Sequence, residues 1–102
     1  MKDVLYNPES GLLKIVILHK PEEKYRVNQV QKALEQAARM ANVKITITRS
    51  NDFAAFSKFS FNPANTPIIF INESLEFVSA VPQLHMLKRK LREIRDRGSM
   101  LF

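Results

Sequence analysis

The chain has 102 residues, 45% of them hydrophobic and 25% charged, with no cysteine and a formal charge of +6 at pH 7. Chains of this size remove about 60–65% of their unfolded surface from water, which supports one core and not two. The composition excludes a disordered chain, and the absence of cysteine excludes a disulfide framework, a thiolate metal site and a redox couple.

Residues 1–10 contain Asn7-Pro8-Glu9-Ser10, which with Gly11 is turn chemistry, so a loose lead-in or short edge strand is expected there. Leu12 to Leu18 is apolar except at Lys14 and rich in β-branched residues, which predicts a central strand buried on both faces. His19-Lys20-Pro21-Glu22-Glu23 reads as the turn into a helix. Pro21 suits a first-turn position, and two glutamates there complement the positive end of the helix dipole. Helical spacing follows at Val27, Val30, Leu34, Ala37 or Ala38, and Ala41, with Asn42 as terminator. Val43 to Thr48 alternates strictly and predicts a second strand. Ser50-Asn51-Asp52 is a capping cluster ahead of Phe53, Phe56 and Phe59, whose spacing of three places their rings on one face of a short helix. A loop with two prolines, Asn62 to Pro67, leads to a strand over Ile68–Ile71. A tight turn at Asn72-Glu73-Ser74 and a strand over Leu75–Ser79 complete a hairpin. Pro82 opens a last helix with Leu84, Leu87, Leu91 and Ile94 on one stripe. Gly98 is expected to end it, with a short tail at residues 99–102.

The predicted order is β-α-β-α-β-β-α: one domain over residues 1–102, its core spanning about 12–97 and its ends, 1–10 and 98–102, loose. A strand–helix–strand start implies a parallel pair, and the hairpin adds antiparallel strands. The expected fold class is therefore α/β, a four-stranded mixed sheet with helices on both faces. The apolar runs fall well short of the roughly 20 residues that cross a bilayer, and the N-terminus carries no apolar segment of the signal-peptide type. The expectation is a soluble, cytoplasmic protein with no membrane partner.

An apolar strand leading to a proline-containing turn, the Val30-Gln31-Lys32-Ala33-Leu34-Glu35 helix body and the Thr66-Pro67 step before the third strand together resemble the thioredoxin/glutaredoxin superfamily. The nearest resemblance is to its small redox-active disulfide proteins, and it covers roughly Leu12 to Arg95. It implies a thioredoxin-like fold in which Pro67 is cis and faces the redox motif. That motif, Cys-Pro-x-Cys, would fall on Lys20-Pro21-Glu22-Glu23, where the proline is kept and both cysteines are absent. A redox cysteine works as a thiolate stabilised by the helix N-terminus, and a carboxylate in its place cannot form a mixed disulfide. The resemblance therefore implies a redox-inactive domain. In the family, the segment before the cis-proline receives an extended partner peptide through backbone hydrogen bonds, which here points to Asn65 and Thr66.

The expected partner-binding residues are His19, Lys20, Pro21, Glu22 and Glu23 with Asn65, Thr66 and Pro67, and the expected partner is a protein or extended peptide. No catalytic constellation is visible and no cofactor or metal is expected. Two glycines, Gly11 and Gly98, cannot build a phosphate-binding Gly motif, and His19 and His85 are far apart. A glutathione-dependent transferase would need a glutathione pocket that one Thr-Pro step does not supply. The alternative partner is nucleic acid or another anion. From Pro82 to Arg97 there are six basic and two acidic residues, +4 of the +6 total, and Lys88, Arg89, Arg92 and Arg95 are the anion-binding candidates. The pairs Arg89–Glu93 and Arg92–Asp96 are expected to satisfy part of that charge along the helix.

Overall fold

The computed structural model describes residues 12–79 and 81–100, the last three by their backbone alone. The strands are β1 (Leu12–Leu18), β2 (Lys44–Ser50), β3 (Ile68–Ile71) and β4 (Ser74–Val78), and the helices α1 (Lys24–Ala41) and α2 (Leu84–Met100). Three short 3-10 turns, Pro21–Glu23, Phe53–Phe56 and Pro63–Asn65, complete the order. The strands form one open mixed sheet in the order β2-β1-β3-β4. β1 runs parallel to β2, from Leu12 opposite Lys44 to Leu18 opposite Ser50, and antiparallel to β3. A parallel pair cannot be joined by a tight turn, and α1 is the crossover that joins this one.

The two faces of the sheet carry different roofs. Leu13, Ile15, Ile17, Ile69 and Ile71 face α1 and α2, meeting Val27, Val30, Leu34, Leu87 and Leu91 in the main core. Alanines at 37, 38 and 41 are buried on the same stripe of α1, where small side chains let backbones approach closely. On the other face Leu18, Ile68 and Phe70 lie under Phe53, Phe56, Phe59 and Phe61. Phe70 is the centre of that cluster, with ring centroids 4.8 Å from Phe59 and 5.3 Å from Phe56.

Among the described residues, helices therefore cover one face of the sheet, not both as expected. The expected helix over Phe53–Phe59 is a four-residue 3-10 turn instead, capped by Asp52, whose carboxylate accepts from the Ala55 N–H. A segment this short cannot offset the cost of helix nucleation, and its rings gain more by spreading over Phe70 than by lining a helix stripe. The last helix departs from expectation at both ends. It starts at Leu84, two residues after Pro82, and continues through Gly98 to Met100. Glycine weakens a helix interior by about 1 kcal/mol relative to alanine, which is a tax on the helix and not a stop signal. The expectations for residues 1–10 and for the extreme tail at 101–102 lie outside the described residues.

Two connections are well specified. Asn42 ends α1 in the left-handed region (φ 57°), with the Asn42 N–H donating to the Arg39 carbonyl and the Val43 N–H to that of Ala38. This is the Schellman arrangement, here with buried Val43 as its apolar anchor. The β3–β4 turn has φ 50° at Asn72 and 64° at Glu73, the pair of positive φ values that a two-residue type I′ hairpin requires. β4 then carries a bulge: Phe70 pairs with Leu75 and Ile69 with Phe77, so Glu76 has no strand partner.

Candidate functional site

β1 ends at Leu18 and β3 begins at Ile68, directly opposite it in the antiparallel register, so the segments that follow β1 and precede β3 emerge side by side. This brings the His19–Glu23 turn to the Asn65–Pro67 loop. Backbone pairing continues one residue past β1, with the His19 N–H donating to the Ser50 carbonyl at 2.9 Å. The Thr66–Pro67 peptide bond is cis.

The two segments are tied through Glu23. Its Oε1 accepts from the Lys20 N–H at 2.8 Å, and its Oε2 accepts from the Thr66 hydroxyl at 2.9 Å. The first contact is half of a capping box, an acidic residue reaching back to an unpaired N–H at the head of a helix. Lysine has no side-chain acceptor to supply the other half. The second contact joins residues 43 positions apart. Thr66 is 4% exposed, so its hydroxyl needs this partner, because an unmatched buried hydroxyl costs about 1–3 kcal/mol. His19 is half-buried, and its Nδ1 lies 2.8 Å from the Lys20 carbonyl. A carbonyl only accepts, so Nδ1 carries the proton in this contact.

All eight expected residues of these two segments thus fall in one region, with different parts. Glu23 and Thr66 hold the region together, Pro67 is buried beneath it, and Pro21, Glu22 and Asn65 are exposed on it. Among the described residues, the backbone N–H and C=O of Thr66 make no backbone hydrogen bond. Three clefts lined by described residues lie elsewhere. One of about 850 Å³ sits between the end of α1 and the start of β2, and one of about 250 Å³ lies beside Phe77 and Met86. The third, also about 250 Å³, opens among the phenylalanines. Among the described residues no three potential metal ligands of the His, Asp or Glu type converge.

The cationic helix divides its charges differently from expectation. Arg95 is engaged within the fold: its Nη1 donates to the Ala41 and Asn42 carbonyls, both at 3.3 Å, and its Nε to Asp96 at 3.1 Å. It satisfies the carbonyl end of α1, a role with no signal in the local sequence because its acceptors lie more than 50 positions away. The expected Arg89–Glu93 and Arg92–Asp96 bridges do not form. Glu93 instead meets Lys90 at 3.0 Å and Arg97 at 3.6 Å, while Asp96 is taken by Arg95. Lys90 also reaches the bulge residue Glu76 at 3.4 Å. The hydrogen bond from Lys90 and its positive charge hold the Glu93 carboxyl below the usual value. The hydrogen bond to Glu93 raises the Lys90 ammonium, against a smaller opposing effect of burial and with help from the Glu76 charge. Lys88, Arg89 and Arg92 form no ion pair among the described residues, and these three make up the cationic surface of α2. His85 is exposed on the same helix.

The chain matches no protein-family model, no characterised protein and no solved structure. The described residues include no helix long and apolar enough to cross a membrane.

Proposed function

We propose that the chain is a thioredoxin-like domain without redox chemistry that binds an extended peptide or protein segment across the His19–Glu23 turn and the Asn65–Pro67 loop. The observation that carries this reading is the Glu23–Thr66 hydrogen bond, which fixes the two segments side by side. Supporting it are the strand order β2-β1-β3-β4 with one parallel pair, the cis bond at Thr66–Pro67 and the helix beginning just beyond Pro21. An extended peptide docks through main-chain hydrogen bonds and needs no cysteine. The Thr66 side chain is turned inward, so its contribution to a partner comes from its backbone, with exposed Asn65 and Glu22 giving side-chain selectivity.

Glu23 in this reading is a strut and not a catalytic base, since both of its oxygens already hold the loops. Binding of an array of immobilised extended peptides tests the proposal. The wild type should capture a subset that Glu23→Ala loses by about tenfold, the equivalent of 1.4 kcal/mol. Equal capture by both proteins would refute the assignment of this surface. A second reading, binding of an anionic polymer on α2, is favoured by the three cations Lys88, Arg89 and Arg92. Its signature is an affinity that falls steeply between about 50 and 200 mM salt.

A further inference from the structure

Among the described residues, the helix-free face of the sheet is only partly roofed. Register places Lys44 beside Leu12, Thr46 beside Lys14 and Thr48 beside Val16, all on the face that carries the phenylalanines. Lys14, Lys44, Thr46 and Thr48 are exposed there. Where the roof ends, a cleft of about 250 Å³ opens. Buried Phe70 and half-buried Val16 form its floor, and Ala55, Phe56 and Phe59 its wall. Lys14, Lys58 and Glu73 stand around its mouth. Lys58 lies 4.0 Å from Glu73 and 5.2 Å from the centre of the Phe59 ring, so it already sits over an aromatic face. Among the described residues, two ammonium groups against one carboxylate give the mouth a net positive charge, and Lys44 adds to it from the neighbouring strand.

We propose that this cleft binds a small amphipathic anion: one aromatic ring on a short chain that ends in a carboxylate. A cavity of about 150 Å³ is enough to hold benzene, so this one admits a ring and the first carbons of a side chain. Rings of Phe56, Phe59 and Phe70 offer the edge and face contacts that aromatic ligands prefer. The carboxylate stays at the mouth, near Lys14 and Lys58, where it remains hydrated and is not forced into the apolar interior. The site is independent of the peptide-binding surface. Lys14 is five residues before His19 along an extended strand, roughly 16 Å away at about 3.3 Å per residue.

Titration of the ¹⁵N-labelled full chain with hydrocinnamate, and separately with its uncharged amide, tests the proposal by NMR. Hydrocinnamate should give saturable shifts confined to Lys14, Val16, Ala55, Phe56, Lys58, Phe59 and Phe70, and the amide should bind about fivefold more weakly, the upper range for one exposed ion pair. Lys14→Glu, an exposed substitution that does not touch the core, should weaken hydrocinnamate by about the same factor and leave the amide unchanged. Ala55→Leu should fill the cleft and remove binding of both compounds. Non-saturating shifts, shifts centred on Lys88, Arg89 and Arg92, or equal affinity for acid and amide would overturn the proposal. So would larger shifts of the cleft residues with a single-stranded oligonucleotide than with hydrocinnamate.

Discussion

Glu23 gives one carboxylate oxygen to the Lys20 backbone and the other to Thr66, so changing either end should be felt at both loops. Thr66→Val keeps the shape and removes the hydroxyl, and should lower unfolding free energy by about 1–2 kcal/mol, as for a partly exposed hydrogen bond to a charged group. Glu23→Ala should lower it by at least as much, because the Lys20 N–H loses its cap as well. The double variant should fall short of the sum by about 1 kcal/mol in urea denaturation; strict additivity would mean that the two side chains are not coupled. Glu73 offers the opposite case. At φ 64° a side chain is strained where glycine is not, so Glu73→Gly should raise stability by about 0.5–1 kcal/mol, read from the denaturation midpoint. The Lys58 contact that it removes is 4.0 Å long and exposed, and offsets little of this. The Lys90–Glu93 pair sets a pH window. Glu93 titrates below its ordinary 4.5 when folded, so its contribution is present above that value and lost as pH falls through the folded pKa. Lys90 titrates above 10.5 when folded, so its contribution is present below 10.5 and lost as pH rises through the folded pKa. The thermal midpoint should therefore respond to Glu93→Gln between these limits and converge with that of the wild type in acid. The difference should be small, because the pair is exposed.

At the scale of elements, the sequence carried the strands and long helices well because their signals are periodic. Val27, Val30, Leu34, Ala37, Ala38 and Ala41 are buried as helical spacing requires, and β3 is buried on both faces; β1, expected to be so, is buried on its helix face but on the other only at Leu18, with Lys14 exposed and Leu12 and Val16 half-buried. It failed where several phenylalanines in a short segment can satisfy their burial without a helix. Phe53, Phe56 and Phe59 have helical spacing, yet Phe70, on a strand whose position is set by the sheet, is what decides their arrangement. The pairing partners on α2 were equally hidden, since an i,i+4 rule cannot see Glu76 on a bulge or the open carbonyls at the end of α1. Arg95 links the two helices there, so Arg95→Ala should destabilise the fold by about 1 kcal/mol, measured by thermal unfolding. Arg92→Ala, an exposed change on the same helix, should shift stability by no more than about 0.5 kcal/mol. Equal effects from the two would contradict the capping role of Arg95.

Over the whole molecule, charge and apolar surface are distributed by region. Both α-helices cover one face of the sheet, aromatic rings cover part of the other, and the loops at one end of β1 and β3 are held together by a single carboxylate. The eight residues of those loops could be named from the sequence, since a proline turn after a buried strand and a Thr-Pro step before another are local features. The resemblance also implies that Pro67 faces the Lys20–Glu23 turn, but the Glu23–Thr66 bond itself was not legible, because it depends on the antiparallel register of β1 and β3, which no local pattern records. The most direct test of the peptide-binding role is a ¹H–¹⁵N NMR titration of the labelled chain with an extended peptide selected from the array, at about 50 and about 200 mM salt. Shifts should cluster on His19, Lys20, Glu22, Glu23, Asn65 and Thr66, with nearly the same affinity at both salt concentrations. Shifts confined to Lys88, Arg89 and Arg92, with an affinity that collapses as salt rises, would contradict the account and assign binding to the cationic helix.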